Sequence, residues 1–166
     1  MISLEQSYHT GFVVPELEPA MAELTALFGI SWTGVEDRSL SVVTPEGPLR
    51  ARLRFVYSVE GPHHIELMEP APGTIWEQPL APGSGLGAAH HFGVWADDFA
   101  ATSERLVDEG FPRVLTFNGG DGKALGCAYH QLASGALIEL VDASRRDDLE
   151  QWFCGGPYPS GRAPSA

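Results

Sequence analysis

The chain has 166 residues, 43% hydrophobic and 19% charged, a composition that suits one globular domain or two small modules sharing a core and excludes a disordered segment. Twenty-two acidic residues against ten basic ones leave a net charge of −12, which excludes a general binder of nucleic acid or of anionic membranes, because both need a basic face. Cys127 and Cys154 are the only cysteines and form no Cys-x-x-Cys pair, so a disulfide framework and a thiolate zinc site are excluded and a reducing compartment fits. No apolar run approaches the roughly 18 residues of a membrane helix, and Met1 to Gln6 lacks the basic and apolar regions of an export signal, so a cytoplasmic setting is expected.

In chain order, His9 to Val14 is apolar and β-branched and stops at Pro15, which predicts a strand. Leu17, Met21, Leu24, Leu27 and Phe28 recur at helical spacing, and Gly29 is the stop. Ser41 to Thr44, Leu49 to Val59 and His63 to Met68 read as strands separated by Pro-Gly clusters. The sequence then turns rich in Pro and Gly. His91 to Trp95 is the next strand, and Asp97 or Asp98 caps a helix with Phe99, Ser103 and Leu106 on its buried stripe and Gly110 at its end. Arg113 to Phe117, Cys127 to Leu132 and Ala136 to Val141 complete the strands, with Gly119 to Gly122 as a hairpin or mobile lid. Asp147 to Phe153 predicts a short helix docking through Leu149, Trp152 and Phe153, and the Gly, Pro and Ser-rich tail from Gly155 is expected to be poorly ordered.

These elements repeat. His9-Thr-Gly11-Phe-Val13 recurs 82 residues later as His91-Phe-Gly93-Val-Trp95, and Ile65-Glu66-Leu67 recurs 73 residues later as Ile138-Glu139-Leu140. The chain thus divides into a first β-α-β-β-β module (residues 5–70), a linker (71–88), a second module (89–143) and a C-terminal short helix with a flexible tail (144–166). Two copies of one unit tend to be related by a local twofold axis, which brings equivalent residues together. In each Ile-Glu-Leu strand the aliphatic pair faces a helix and the glutamate the opposite, concave side. A carboxylate buried there is costly unless paired or metal-bound. His9, Glu66, His91 and Glu139 therefore form an N₂O₂ set suited to a divalent cation with coordination positions left over.

This layout resembles the vicinal oxygen chelate superfamily, which includes glyoxalase I, methylmalonyl-CoA epimerase, extradiol dioxygenases and bleomycin-resistance proteins. The resemblance covers about residues 7–143. It implies an α+β fold in which two tandem βαβββ modules form a cup-shaped mixed sheet with helices outside. It implies one divalent metal ion (Ni, Co, Zn, Mn or Fe) on His9, Glu66, His91 and Glu139, a small-molecule carbonyl or vicinal-oxygen substrate, and a homodimer whose cup can be completed across the interface. The two-His, two-Glu set is similar to that of bacterial-type glyoxalase I, whereas Tyr129-His-Gln-Leu-Ala-Ser-Gly135 before the last ligand is closer to the epimerases. Glu66 and Glu139 are the candidate catalytic bases for proton transfer beside a carbonyl in an epimerase, isomerase or lyase. The alternatives are an Fe(II) extradiol-type dioxygenase, for which Glu66 is a surplus ligand, and a non-catalytic ligand-binding or drug-resistance protein.

Six further residues are candidates for substrate binding. His64 shares the face of Glu66. Arg52 and Arg54 belong to a period-2 arginine row that either faces the cup and holds an anion or is a solvated face, with the complementary Leu49 to Tyr57 row packing on a helix. Trp76 and Tyr129 either wall an apolar pocket or are plain core. His130 is either a proton carrier or a surface histidine.

Overall fold

The structure, a computed structural model, describes residues 2–77, 89–118 and 124–159; the Gly119 to Gly122 loop lies outside them. The first half runs β1 (Ser7–Val13), α1 (Leu17–Phe28), β2 (Glu36–Thr44), β3 (Gly47–Tyr57) and β4 (His64–Met68). The second half runs β5 (His91–Ala96), α2 (Phe99–Asp108), β6 (Arg113–Asn118), β7 (Ala124–Gln131) and β8 (Leu137–Asp142), followed by α3 (Arg146–Phe153). Gly29 ends α1 with φ 70°, a left-handed conformation that favours glycine. Asp98 caps α2 by accepting from the N–H of Ala101 at 3.1 Å.

The eight strands close into a barrel in the order β1-β4-β3-β2-β6-β7-β8-β5, so the cup is a ring rather than an open sheet. Each half has the same internal order, and two antiparallel joins link the halves. At one join His9 lies opposite Gly93, Thr10 opposite Phe92 and Gly11 opposite His91. That register is its own mirror: exchanging the modules exchanges the two histidines and the two glycines. At the other join, Val42 with Phe117 and Val43 with Thr116 hold β2 to β6 among the described residues.

Strand alternation sorts the side chains into three apolar layers. Leu17 and Leu24 of α1 pack on Val14, Val56 and Leu67, and Phe99 and Leu106 of α2 pack on Val94, Ala96, Ala128 and Leu140. The third layer fills the barrel and is dominated by Tyr8, Phe55, Tyr57, Trp76, Trp95, Tyr129, Trp152 and Phe153. Trp152 of α3 meets Tyr57 edge to face at a centroid distance of 5.3 Å, and Trp76 meets Tyr129 the same way at 5.8 Å. Tyr57 lies opposite Glu66 and Tyr129 opposite Glu139, so the two tyrosines are equivalent. The segment trailing each module thus seats a tryptophan on the other module's tyrosine.

Several sequence expectations are corrected here. The apolar row of β3 packs into the barrel, not on a helix, and its arginines face outward. Arg52 donates to Asp37 at 2.7 Å, and Arg54 donates to Glu69 at 2.6 Å and to Glu18 at 2.7 Å. Alternation permits only one row inside, and the interior takes the row that needs no ion-pair partner. β2 begins at Glu36 rather than Ser41, because its polar first half is held by pairing with Phe55 to Arg50, which hydrophobicity does not reveal. Within the linker Ala71 and Trp76 are buried, and within the tail Tyr158 packs on Phe55 and Trp152 beneath the Arg38 guanidinium.

Trp152→Ala is expected to destabilise the fold by about 3–5 kcal/mol, as for other buried aromatics cut to alanine. Denaturant unfolding, read as a lower midpoint at unchanged slope, checks this.

Candidate metal centre

β1 and β5 cross at the join described above and aim His9 and His91 into the barrel, where both are almost wholly buried. β4 runs beside β1 and β8 beside β5, which brings Glu66 and Glu139 to the same point. The two imidazole Nε2 atoms lie 2.8 Å apart. His9 Nε2 is 3.2 Å from Glu139 Oε2 and 3.5 Å from Glu66 Oε2; His91 Nε2 is 3.1 Å from Glu66 Oε2 and 3.6 Å from Glu139 Oε2. Each distance within one module is matched within 0.1 Å by its counterpart in the other, as the local twofold requires.

The glycine of each His-x-Gly motif has a steric role that sequence reasoning missed. A Cβ on Gly93 would sit 1.8 Å from the His9 ring, and one on Gly11 would sit 2.0 Å from the His91 ring. Each module's glycine leaves the space that the other module's histidine occupies. The signal was present in the repeat itself, since the glycine recurs with the histidine.

Hydrogen bonding assigns the tautomer of His91. His90 donates from Nε2 to the carbonyl of Ile75 at 2.7 Å, so its Nδ1 accepts from His91 Nδ1–H at 2.9 Å. That leaves the His91 Nε2 lone pair directed at the cluster. Cys127 donates its thiol hydrogen to Glu139 Oε1 at 3.0 Å. The Oε2 atoms of Glu66 and Glu139 are buried and, among the described residues, have no polar partner beyond the two cluster histidines. Four ligand-type side chains thus converge, and so many buried lone pairs are held together only by positive charge, either a shared cation or protons on the imidazoles. The His–His and His–Glu spacings of 2.8–3.6 Å are those of neighbouring vertices around an ion with bonds of about 2.0–2.2 Å, and the set whose ligand atoms all lie within 4.8 Å of one another is His9, His91 and Glu139. The residues fit a divalent metal. All four groups come from one chain, so a partner subunit is not needed to complete the set.

The sequence profile of the Glyoxalase/Bleomycin resistance protein/Dioxygenase superfamily matches residues 8–129. The chain belongs to this superfamily. The matched span contains His9, Glu66 and His91 and ends before Glu139. Among curated proteins no sequence matches. Among solved structures, methylmalonyl-CoA epimerase from Mycobacterium tuberculosis aligns with a TM-score of 0.58 at 21% identity, over 86% of this chain and 92% of that one. A variant Streptomyces coelicolor methylmalonyl-CoA epimerase in complex with 2-nitronate-propionyl-CoA aligns with a TM-score of 0.57 at 20% identity, over 86% and 95%. A hypothetical protein from Bacillus halodurans C-125 aligns at 0.54 and 18% identity, over 82% and 92%. At these identities the likeness establishes the vicinal oxygen chelate fold.

The remaining candidates fall in different places around this superfamily fold. Tyr129 stands edge-on to His91 at 5.2 Å, and Tyr57, which sequence reasoning passed over, stands edge-on to His9 at the same distance. Trp76 backs Tyr129. His64 is on the inner face but outside the four-residue cluster: it donates from Nδ1 to the Ser58 carbonyl at 2.7 Å and lies against Phe153 of α3. His130 points the other way, toward α2, donating from Nδ1 to the Phe111 carbonyl and accepting from the Ser103 hydroxyl, both at 2.9 Å. It alternates with the inward Tyr129, so it clamps the helix rather than carrying protons in the cup. Arg52 and Arg54 lie outside the barrel altogether.

Electrostatics tie the cluster together. Burial disfavours charge on His91, but hydrogen bonds to Glu139 and Glu66 outweigh it and push the imidazole up to about 9. His9 is raised by the same carboxylates against the same burial. Burial likewise opposes ionised Glu66 and Glu139, yet the two histidines hold both below the usual carboxylate range, Glu139 well below it.

Two outcomes are expected. Gly93→Ala displaces the His9 ring and costs about 1–3 kcal/mol or more, as overpacking does. It abolishes metal retention, read by thermal unfolding together with metal analysis. In chelator-treated protein, the raised histidine values give stabilisation that is complete below the unfolded-state value near 6.5 and is lost as pH rises through about 9. The lowered carboxylate values give stabilisation present above about 4.5 and lost as pH falls, so metal-free stability peaks between about pH 4.5 and 6.5. A cation displaces the histidine proton, so metal affinity climbs with pH up to about 9 and binding releases protons, measurable by titration calorimetry in two buffers.

Proposed function

We propose that this protein is a divalent-metal-dependent enzyme of the glyoxalase and epimerase type that moves a proton next to a carbonyl. The observation that carries the proposal is the convergence of His9, Glu66, His91 and Glu139, with both Oε2 atoms buried and otherwise unpartnered. The metal, when bound, supplies Lewis acidity to two neighbouring oxygens of the substrate. The chain supplies the rest. His9 and His91, on rigid paired strands, would hold the ion, and His90 keeps the His91 Nε2 lone pair aimed inward. A carboxylate of the same set takes the proton from the carbon beside the carbonyl and returns it to the other face or to a neighbouring atom, which is an epimerase, isomerase or lyase outcome. Tyr57, Tyr129, Trp76 and Trp152 exclude water from that exchange.

A cavity of about 790 Å³ opens at the end of the barrel beside His90 and Leu137, walled by Leu49, Thr74, Ile75 and Gln131. Among its described lining residues Glu46 is the charged side chain. None of His9, Glu66, His91 and Glu139 lines this cavity, and His90 is its link to the cluster; the substrate class proposed is a small carbonyl or vicinal-oxygen compound. Structural neighbours named as methylmalonyl-CoA epimerases support proton transfer as the chemistry. The second carboxylate also favours it over an extradiol dioxygenase, which needs two histidines and one glutamate. We further propose a homodimer of complete sites in the cytoplasm; no helix among the described residues is long and apolar enough to cross a membrane.

Plasma mass spectrometry on stripped and reloaded protein is expected to find about one divalent ion per chain, absent from His9→Ala and Glu139→Ala. Ni, Co, Zn or Mn as the tightest ion supports proton transfer. Preferential Fe(II) would move the assignment to oxygen chemistry, and an empty wild type after reloading would defeat it.

A further inference from the structure

We propose that the cavity at the end of the barrel is a second binding site, separate from the histidine and glutamate cluster, for an uncharged molecule carrying an apolar ring, and that His90 couples the two. The site needs no metal, so it goes beyond the metal-enzyme reading and is independent of it.

The local twofold makes each end of the barrel a control for the other. Tyr8 and His90 precede the two cluster histidines, and Tyr57 and Tyr129 face the two glutamates. His64 and Leu137 lie beside the same histidines on the parallel strands. At one end a single ring covers the first member of each pair. Phe153 of α3 lies 6.5 Å from Tyr8, 5.1 Å from Tyr57 and 4.3 Å from His64, centroid to centroid. At the other end Trp76 takes the place of Trp152, but the residue after it is Glu77, exposed and accepting from the Gly73 N–H at 2.7 Å. No counterpart of Phe153 among the described residues covers His90 and Leu137. Both line the cavity of about 790 Å³ instead, a volume in the range of small-molecule sites.

The walls define the ligand's chemistry. Leu49, Ile75, Val114 and Leu137 present apolar groups, and the first three are half-buried with nothing seated on their cavity side among the described residues. The polar side chains of the wall already have partners within the protein. Both His90 nitrogens are bonded, Thr44 donates to the Gly47 carbonyl at 3.3 Å, and Thr74 donates to the Ala71 carbonyl at 2.7 Å. Glu46 and Gln131, both exposed, stand at the rim. No lysine or arginine is among the described lining residues, and residues 78–88, which precede Ala89 in the chain, include no charged residue. An anion would leave water to meet Glu46 and no counter-charge, so the ligand is neutral. A ring packed against His90 and Ile75 shields from water the hydrogen bond that His90 Nε2 donates to the Ile75 carbonyl at 2.7 Å, and so strengthens it. That bond orients His90, whose Nδ1 accepts from His91 Nδ1–H, so an occupied cavity holds the His91 ring more firmly.

The test titrates benzylacetone, a neutral aryl ketone, into chelator-stripped full-length protein and follows amide and imidazole N–H signals by NMR. Saturable one-to-one binding is expected, with the largest shifts at Leu49, Ile75, Val114 and Leu137 and slower solvent exchange of the His90 Nε2–H. Ala89→Trp and Ala136→Trp each place a ring in the cavity and should weaken binding by at least about tenfold, the scale of one lost ring contact. Ala89 is exposed, so its variant keeps the fold. Hydrocinnamate, the same skeleton with a carboxylate in place of the acetyl group, should bind at least about tenfold more weakly than the ketone. Absence of saturable binding, undiminished affinity in both tryptophan variants, or hydrocinnamate binding as tightly as the ketone would each overturn the site. Unchanged His90 exchange at saturation would overturn the coupling. Metal uptake, measured separately, decides the metal-enzyme reading without bearing on these outcomes.

Discussion

The antiparallel crossing of β1 and β5 controls the rest of the molecule. With His9 opposite Gly93 and Gly11 opposite His91, two bulky rings lie side by side at the middle of a ladder, 2.8 Å apart at Nε2, in space that any side chain on either glycine would fill. Because a one-residue slip turns every side chain to the other face, this register cannot drift without sending both histidines into the helix layers. The crossing also sets the twofold axis. Once it passes between Thr10 and Phe92, the parallel partners β4 and β8 bring their glutamates to the same point from opposite directions.

The barrel around that crossing separates apolar mass from chemistry. Aliphatic side chains predominate in the two helix–sheet layers, and large aromatic ones share the interior with Val13, Leu53, Met68 and Leu115. Large rings keep water from the two buried carboxylates while their edges rest against the imidazoles: Tyr57 on His9 and Tyr129 on His91. Tryptophans from the segments following β4 and β8 then close the interior, each on the opposite module. This crossed packing adds to the strand pairing of β1 with β5 and of β2 with β6 in tying the modules together.

The cluster is held by opposition between burial and charge. Removing His9, His91, Glu66 and Glu139 from water is unfavourable for each alone, and the mutual attraction of imidazolium and carboxylate offsets it when no metal is present. A divalent cation bound by these residues would take the place of the protons in that balance. His90 on one side and Cys127 on the other act on single ligands of the set, and they have no counterparts in the other module, where Tyr8 and Phe55 occupy the equivalent positions.

The amino-acid sequence by itself determined the two-module repeat, the strand and helix order, and the four convergent side chains, because each depends on local periodicity and on residues recurring at a fixed shift. His-x-Gly and Ile-Glu-Leu are short patterns whose inward and outward faces follow from strand alternation alone. Only the tertiary structure decided which face of a strand lies inside when both rows are plausible. Leu53 and Arg54 alternate equally well either way, and only closure of the ring with α1 outside puts the arginine with Glu18 and Glu69. The same holds for His130, indistinguishable from a cup residue until α2 brings Ser103 to it, and for Trp76, whose partner Tyr129 is more than fifty positions away in the chain. Long-range contacts of this kind leave no periodic trace, since a side chain's partner across the barrel depends on how the ring closes rather than on its neighbours in sequence.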